Sequence, residues 1–273
     1  MFRSLNLAPI TFLHRPVLVI FGDRRMSEQI RIVEKNKVPS GMTMLFGFPD
    51  VGLVGVIAAS HLIEELNMNE VAYIESELLP PLVVLHEGLP HSPIRIFANH
   101  DILLAISEVP IQTDLIYPIM DVLIEWAKSK DVKMMISLSG IPIQDRQDVQ
   151  ELKVFAAVSG LETMKALKDN GIEVLMEGYM VGPQAVMLRR AAQKNSPALI
   201  LVAQCFANYP DPEAAAEVLK SLARITGVKI DVAELLEKGE EIRLRARDVM
   251  KRTQQEMTKM KKGQEFDIPM YVS

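Results

Sequence analysis

Phe46-Gly47-Phe48-Pro49-Asp50-Val51-Gly52-Leu53-Val54-Gly55 runs from an apolar strand, through a glycine-bearing turn, into the start of a helix. Met42 to Phe48 is short and apolar, and Val51 to Leu66 reads as a helix. Further along, Ala198 to Phe206 is an apolar run of strand length, without the alternation of a half-solvated strand. Strands of that kind are covered by helices on both faces. The two stretches together predict an α/β fold, a three-layer sandwich around a mixed, mostly parallel sheet.

Working outward, Val71 to Ser76, Leu82 to His86, Ile94 to Ala98 and Ile102 to Val109 read as strands. Asn99-His100-Asp101 supplies a tight turn between the last two, so part of the sheet is antiparallel. Asp114 to Lys128 reads as a helix, Val132 to Leu138 as a buried strand and Leu152 to Val158 as another strand. Leu161 to Asp169 is a helix that Asn170-Gly171 ends. A further helix follows Gly182, with Pro183 in its first turn. Asp211-Pro212-Glu213 caps the next helix and Gly227 closes it, before a short helix from Asp231 through Glu237.

The composition narrows the function classes. With 273 residues and 49% hydrophobic, the chain can bury a sizeable core, and whole-chain disorder is excluded. Lys+Arg 30 against Asp+Glu 35 gives a formal charge of −5, which offers no electrostatic case for nucleic acid. The single cysteine, Cys205, excludes an intrachain disulfide framework and a Cys-rich metal site. Apolar runs are far shorter than the roughly 20 residues of a membrane helix, so a soluble, cytoplasmic protein with no membrane partner is expected.

The ends read differently from the body. Residues 1–25 lack a clear period and the long apolar region of a signal peptide. They are taken as an N-terminal extension, with Met26 a possible natural start and Val17 to Phe21 an alternative edge strand. The α/β core domain is assigned to 26–239. Residues 240–273 form a charged helical arm and tail, in which Ile242, Ala246, Val249, Met257 and Met260 mark one narrow apolar stripe. Between Glu237 and Lys262 nine basic residues face five acidic ones, so the arm is either a solvated helix on the core or a projecting one.

No constellation demands catalysis. The spacing of Gly47, Gly52 and Gly55 fits neither the P-loop nor the dinucleotide fingerprint. Gly52, Gly55, Ala58 and Ala59 are better explained as letting the helix lie close on the sheet. Gly47, Asp50, Gly52, Gly55 and Gly182 stand as the weak candidates for a ligand, and no cofactor or metal is expected. His86 and His91 flank a loop, while His14, His61 and His100 are isolated, so none suggests a metal. Glu75 and Glu77 read as rim charges, and Cys205 lies inside an apolar strand where a thiol is inert.

Two segments in sequence order carry a resemblance. The first is the Gly47 to Gly55 turn with Glu75-Ser76-Glu77-Leu78-Leu79-Pro80-Pro81 and the Gly88 to Phe97 hairpin behind it. The second is Gly182-Pro183-Gln184-Ala185-Val186-Met187-Leu188, then Leu201-Val202-Ala203-Gln204, then Tyr209-Pro210-Asp211-Pro212-Glu213-Ala214-Ala215. Over roughly residues 28–240 the chain resembles the archaeal homologues of the proteasome assembly chaperone family, whose second eukaryotic member names the domain. The resemblance implies an α/β fold of phosphorylase/hydrolase-like kind, a homo-oligomer of three or more subunits, and no established catalysis. It also implies docking on the proteasome α-ring through a C-terminal tail with Tyr next to last. Here Met270-Tyr271-Val272-Ser273 places the Tyr third from the end, and Gln184-Ala185 stands where Asn-Gly is more usual. A non-enzymatic scaffold is therefore expected. The alternative is a small-molecule enzyme of hydrolase, phosphorylase or ATP-grasp-like ligase type, with its site at the Gly47–Gly55 turn.

Overall fold

A computed structural model describes residues 29–262 apart from 100 and 169. The 1–25 extension, His14, His100 and the tail with Met270, Tyr271, Val272 and Ser273 lie outside the described residues. The strands are β1 (Ile30–Glu34), β2 (Thr43–Gly47), β3 (Asn69–Ser76), β4 (Val84–His86), β5 (Leu89–His91), β6 (Ile94–Asn99), β7 (Ile102–Ser107), β8 (Met134–Pro142), β9 (Val154–Val158), β10 (Glu173–Val174) and β11 (Ala198–Cys205). The helices are α1 (Val54–Glu65), α2 (Ile116–Ser129), α3 (Leu161–Lys168), α4 (Pro183–Gln193), α5 (Pro212–Thr226), α6 (Ala233–Glu237) and α7 (Gly239–Lys262).

The strands build one mixed sheet in the order β1-β3-β6-β7-β2-β8-β11-β9-β10. Its middle is parallel: β2 pairs in parallel with β7 on one side and β8 on the other, and β8 with β11. The consecutive strands β6 and β7 pair antiparallel, as the tight turn between them requires. Leu82 to His86 does not join this sheet. Only Val84–His86 is a strand, and it folds onto β5 as a separate hairpin.

Both faces of the sheet are covered, and the alternation of side chains along each strand divides the core in two. Met44 and Phe46 of β2 point to the layer of α2 and α4. Leu45 points the other way, to the layer of α1 and α5. Each such fully buried side chain is worth roughly 1.5–3 kcal/mol. The run Ala198 to Ala203 is buried throughout, as a strand covered on both faces requires.

The long helix α7 lies against the body. Met250 and Thr253 are 3% and 1% exposed, and Ile242, Ala246 and Val249 pack on the α1/α5 layer. The narrow stripe is thus enough to seat the helix while its other faces stay charged and solvated.

Candidate functional site

The polypeptide leaves β2 by way of α1 toward β7, and reaches β8 from β7 by way of α2 on the opposite face of the sheet. The order of the parallel strands therefore reverses between β2 and β8. Open α/β sheets place ligands in the crevice that such a reversal leaves at the carboxyl ends of the strands.

Asp50 occupies that crevice. It lies three residues past the end of β2 and is 6% exposed. Its Oδ2 accepts from Ser139 Oγ of β8 and, at 3.3 Å, from the Gly140 amide. Its Oδ1 is buried and has no hydrogen-bond partner among the described residues. Burial pushes the Asp50 carboxyl up from 3.8 to about 7, against the Ser139, Gly140 and Gly55 hydrogen-bonding groups that favour the charged form. Cys205 packs beside the same turn. Burial, with the Asp50 and Asp211 charges, drives its thiol far above the usual range, so it stays a neutral, unreactive thiol.

The turn is built by close contact. A Cβ on Gly55 would lie 2.3 Å from the Leu138 carbonyl oxygen, and one on Gly47 would lie 2.2 Å from Ala59 Cβ. Only hydrogen fits at either point, so α1 rests directly on the sheet. Gly52 has φ +64, a left-handed conformation that glycine adopts without cost, and the turn meets Cys205 there. Of the weak candidates, Gly47, Gly52 and Gly55 have packing roles in this structure. Asp50 and Gly182 line a common cavity of about 130 Å³. Gly182, at φ +84, sets the start of α4, and Met257 and Met260 of α7 form part of the cavity wall. An anion is the wrong occupant for the turn, because Asp50 already fills it with a carboxyl group of the same sign.

A second buried carboxylate lies past the end of β11. Asp211 is fully buried and takes both its oxygens to Arg146, at 2.8 Å to Nε and 3.1 Å to Nη2. It also accepts the amides of Phe206 and Ala214, the latter as the cap of α5. Burial tends to lower the Arg146 pKa, and its hydrogen bonds and charge pairing with Asp211 and Glu213 more than reverse this, so the net shift is upward. A third group joins the hairpin to the sheet: His86 Nε2 lies 2.8 Å from Glu108 and 2.7 Å from Arg95, and Glu70 pairs with Arg95 and His91.

Sequence reasoning missed both clusters. Arg146 is 65 residues from Asp211, and Arg95 is 25 from Glu70, separations that leave no local periodicity to read. One usable signal was present: Ser137 and Ser139, hydroxyls within an apolar strand, are 3% and 1% exposed. The rim reading of Glu75 and Glu77 agrees with their exposure, Glu75 pairing with Arg31 at the edge of the sheet. His61 sends Nε2 to the Asp231 carbonyl at 2.6 Å, a structural role. No group of three or more metal-ligating side chains is present among the described residues. No helix among them is long and apolar enough to cross a membrane.

The sequence pattern of the PAC2 family matches residues 44–250, a span that includes Asp50, Ser139, Arg146, Gly182 and Asp211. An uncharacterized protein of Methanocaldococcus jannaschii is 26% identical over 248 residues, 90% of this chain and 100% of that one. Among solved structures, Pyrococcus furiosus PbaA, an archaeal homolog of proteasome-assembly chaperone, superposes with a TM-score of 0.77 at 27% identity, covering 83% of this chain and 98% of PbaA. Pyrococcus furiosus PbaB, an archaeal proteasome activator, shares the fold with a TM-score of 0.69 at 20% identity, covering 81% of this chain and 98% of PbaB.

Proposed function

The chain belongs to the PAC2 family, and on that premise we propose that it is a non-enzymatic, homo-oligomeric scaffold that assists assembly of the proteasome or binds it. The observation that carries the reading is the likeness to PbaA along nearly the whole of that chain. The chemistry of the buried groups supports it. The thiol is held neutral, Arg146 and Asp211 satisfy one another, and the Ser139 hydroxyl beside Asp50 is itself buried, at 1% exposed.

Self-association in this reading uses apolar surface. Val83 and Leu85, two residues apart and so on one face of the strand, are 62% and 65% exposed, and Leu89, across the β4–β5 hairpin from His86, is 63% exposed. Exposed apolar patches of this kind mark interaction sites, and closed homo-oligomers are their usual outcome. Three or more subunits are proposed, in the cytoplasm. The partner-binding segment is proposed to be Met270, Tyr271, Val272 and Ser273, presented by α7. With several subunits, several tails engage one particle at once, and avidity compensates for a weak single contact.

Co-sedimentation with archaeal 20S particles tests the partner: the full chain is expected in the particle fraction, and Tyr271→Ala is expected to reduce it. If the full chain stays in the supernatant at every concentration tried, the proteasome reading is wrong. Light scattering tests the assembly, and a monomer at micromolar concentration would refute it.

A further inference from the structure

The Asp50 cavity has a use that neither scaffolding nor tail docking requires. Its walls beyond Asp50 are mainly aliphatic or thioether: Val51, Ile141, Val202, Met257 and Met260. Asp50 is the only charged residue among those that line it. The Gly55 amide also favours the charged carboxyl, but the hydrogen bonds the carboxyl accepts within bonding distance fall on one oxygen. Oδ2 is fixed by Ser139 and Gly140, while Oδ1 is buried and lacks a partner among the described residues. An unpartnered buried carboxylate oxygen is costly, and a ligand that donates to it recovers that cost.

The sign and the shape of that ligand follow. An anion is repelled. A cation gains a charge-assisted hydrogen bond in a water-poor site, where such bonds are strongest. A volume of about 130 Å³ admits a head group and a few methylenes, and no more. Methionine walls suit a flexible methylene chain. The cavity shares Met180, Val181, Gly182 and Met260 with a larger apolar groove of about 650 Å³ between α2, α4 and α7, so a stem has a way out. We propose that the Asp50 cavity binds a primary ammonium group carried on a short aliphatic stem, either a free alkylamine or a lysine side chain of a bound protein.

The charged surroundings of Asp50 allow the proposal. From β8 it meets the neutral Ser139, and from β11 the neutral thiol of Cys205. Asp211 at the start of α5 is neutralised by Arg146. On α7, Glu256 and Lys259, which flank Met257 and Met260, pair with one another. Tyr179, on the segment before α4, is 72% exposed. The first turn of α1 carries no acidic residue. No fixed cation competes for Oδ1 among these groups. Because the free carboxyl titrates near 7, ammonium binding displaces a proton at pH 6 and none at pH 8, so affinity is expected to be about tenfold higher at pH 8.

The full-length protein, titrated with n-butylammonium chloride and followed by melting temperature and calorimetry, tests this. Butylammonium is expected to raise the melting temperature, more at pH 8 than at pH 6, and calorimetry at pH 6 in buffers of different ionisation enthalpy is expected to register proton release. n-Butyrate, n-butanol and inorganic phosphate are expected to leave it unmoved. Asp50→Asn keeps an acceptor for Ser139 and Gly140 but turns a donor toward the ligand, and is expected to abolish the response. Should that variant fail to fold, Met257→Trp fills the cavity and leaves the carboxyl intact, with the same expected loss. Nα-acetyl-lysine methylamide binding as well as butylammonium supports the site and assigns the ammonium to a partner's lysine. Binding of butylammonium alone supports the site and assigns it to a free amine. Equal response of wild type and Asp50→Asn, a response to butyrate or phosphate, or equal binding of butanol at both pH values overturns the proposal.

Discussion

Asp50 and Asp211 occupy equivalent places. Each follows a parallel strand near the middle of the sheet, each precedes a helix on the same face, and each is buried. Their surroundings differ in one respect. Asp211 has a guanidinium across both oxygens and two backbone amides besides, so its charge and its lone pairs are both matched. Asp50 has a hydroxyl and an amide on one oxygen, the Gly55 amide nearby, and no cation. The first arrangement closes the start of α5 and ties it to the loop of Arg146. The second leaves a group whose protonation is undecided near neutral pH. The comparison teaches that burial alone does not make a carboxylate structural: the matching of its charge does.

The largest effect should come from breaking the matched pair. Asp211→Ala removes the α5 cap and leaves the Arg146 guanidinium, 4% exposed, without its main counter-ion. The loss expected from urea unfolding is about 3–5 kcal/mol. A loss below about 1 kcal/mol would mean that Arg146 swings to solvent and that the pair is not a structural tie.

Asp50→Asn should do the opposite at alkaline pH. The carboxyl titrates near 3.8 in the unfolded chain and near 7 in the folded one, so the folded state holds the extra proton between those values. The stability it contributes is fully present below about 3.8 and is lost as pH rises through about 7. The amide does not titrate. Relative to wild type, Asp50→Asn should therefore be more favourable at pH 8 than at pH 5, by on the order of 2–3 kcal/mol. Paired unfolding curves at the two pH values check this, and a difference that does not change with pH would place the Asp50 titration elsewhere.

Only half of this contrast was legible in the sequence. Asp211-Pro212-Glu213 announces a helix start, because a capping carboxylate, a proline at the first turn and an acidic neighbour are local signals. The parallel middle of the sheet was legible for a similar reason, since Ala198 to Phe206 shows its double coverage in its own composition. Asp50 appears in a turn between two glycines, where Asp is ordinary, and nothing local tells that Ser139 lies against it from a strand 89 residues away. Arg146 stands in a polar loop, and its ion pair exists only because two distant segments meet. The seating of α7 was legible only in part. Its stripe is narrow by composition, and Met250 and Thr253 are buried because the helix lies across surface that other elements supply.

Gly55→Ala sharpens the contrast from the packing side. The added methyl would stand 2.3 Å from the Leu138 carbonyl oxygen and 2.9 Å from that of Phe48, both backbone atoms that do not yield easily. Overpacking of this kind costs about 1–3 kcal/mol. Because α1 would be pushed off the sheet just past Asp50, the variant should also blunt the pH-dependent stability difference between Asp50→Asn and wild type. A double variant, Gly55→Ala with Asp50→Asn, measured at pH 5 and pH 8, reports that coupling. Strict additivity at both pH values would show that the glycine contact and the carboxyl act independently.

The smallest effect is expected where the distance is shortest. Glu213 Oε2 stands 2.6 Å from Arg146 Nη2, closer than either oxygen of Asp211, yet its side chain is 52% exposed. The Arg146 hydrogen bond is the main cause that draws the Glu213 carboxyl below the usual range, but solvent screens most of what that pairing contributes. Its other contact, Arg243 at 3.4 Å, ties the first turns of α7 to α5 across the same exposed surface. Glu213→Gln keeps the side-chain length and can still accept from Arg146, so only the charge is lost. The expected change is about 0–1 kcal/mol, fading further in molar salt. Set beside Asp211→Ala, it separates proximity from burial on one and the same guanidinium. If Glu213→Gln costs as much as Asp211→Ala, and the loss persists in high salt, then the Arg146 cluster acts as one desolvated unit and the distinction drawn between its two carboxylates fails.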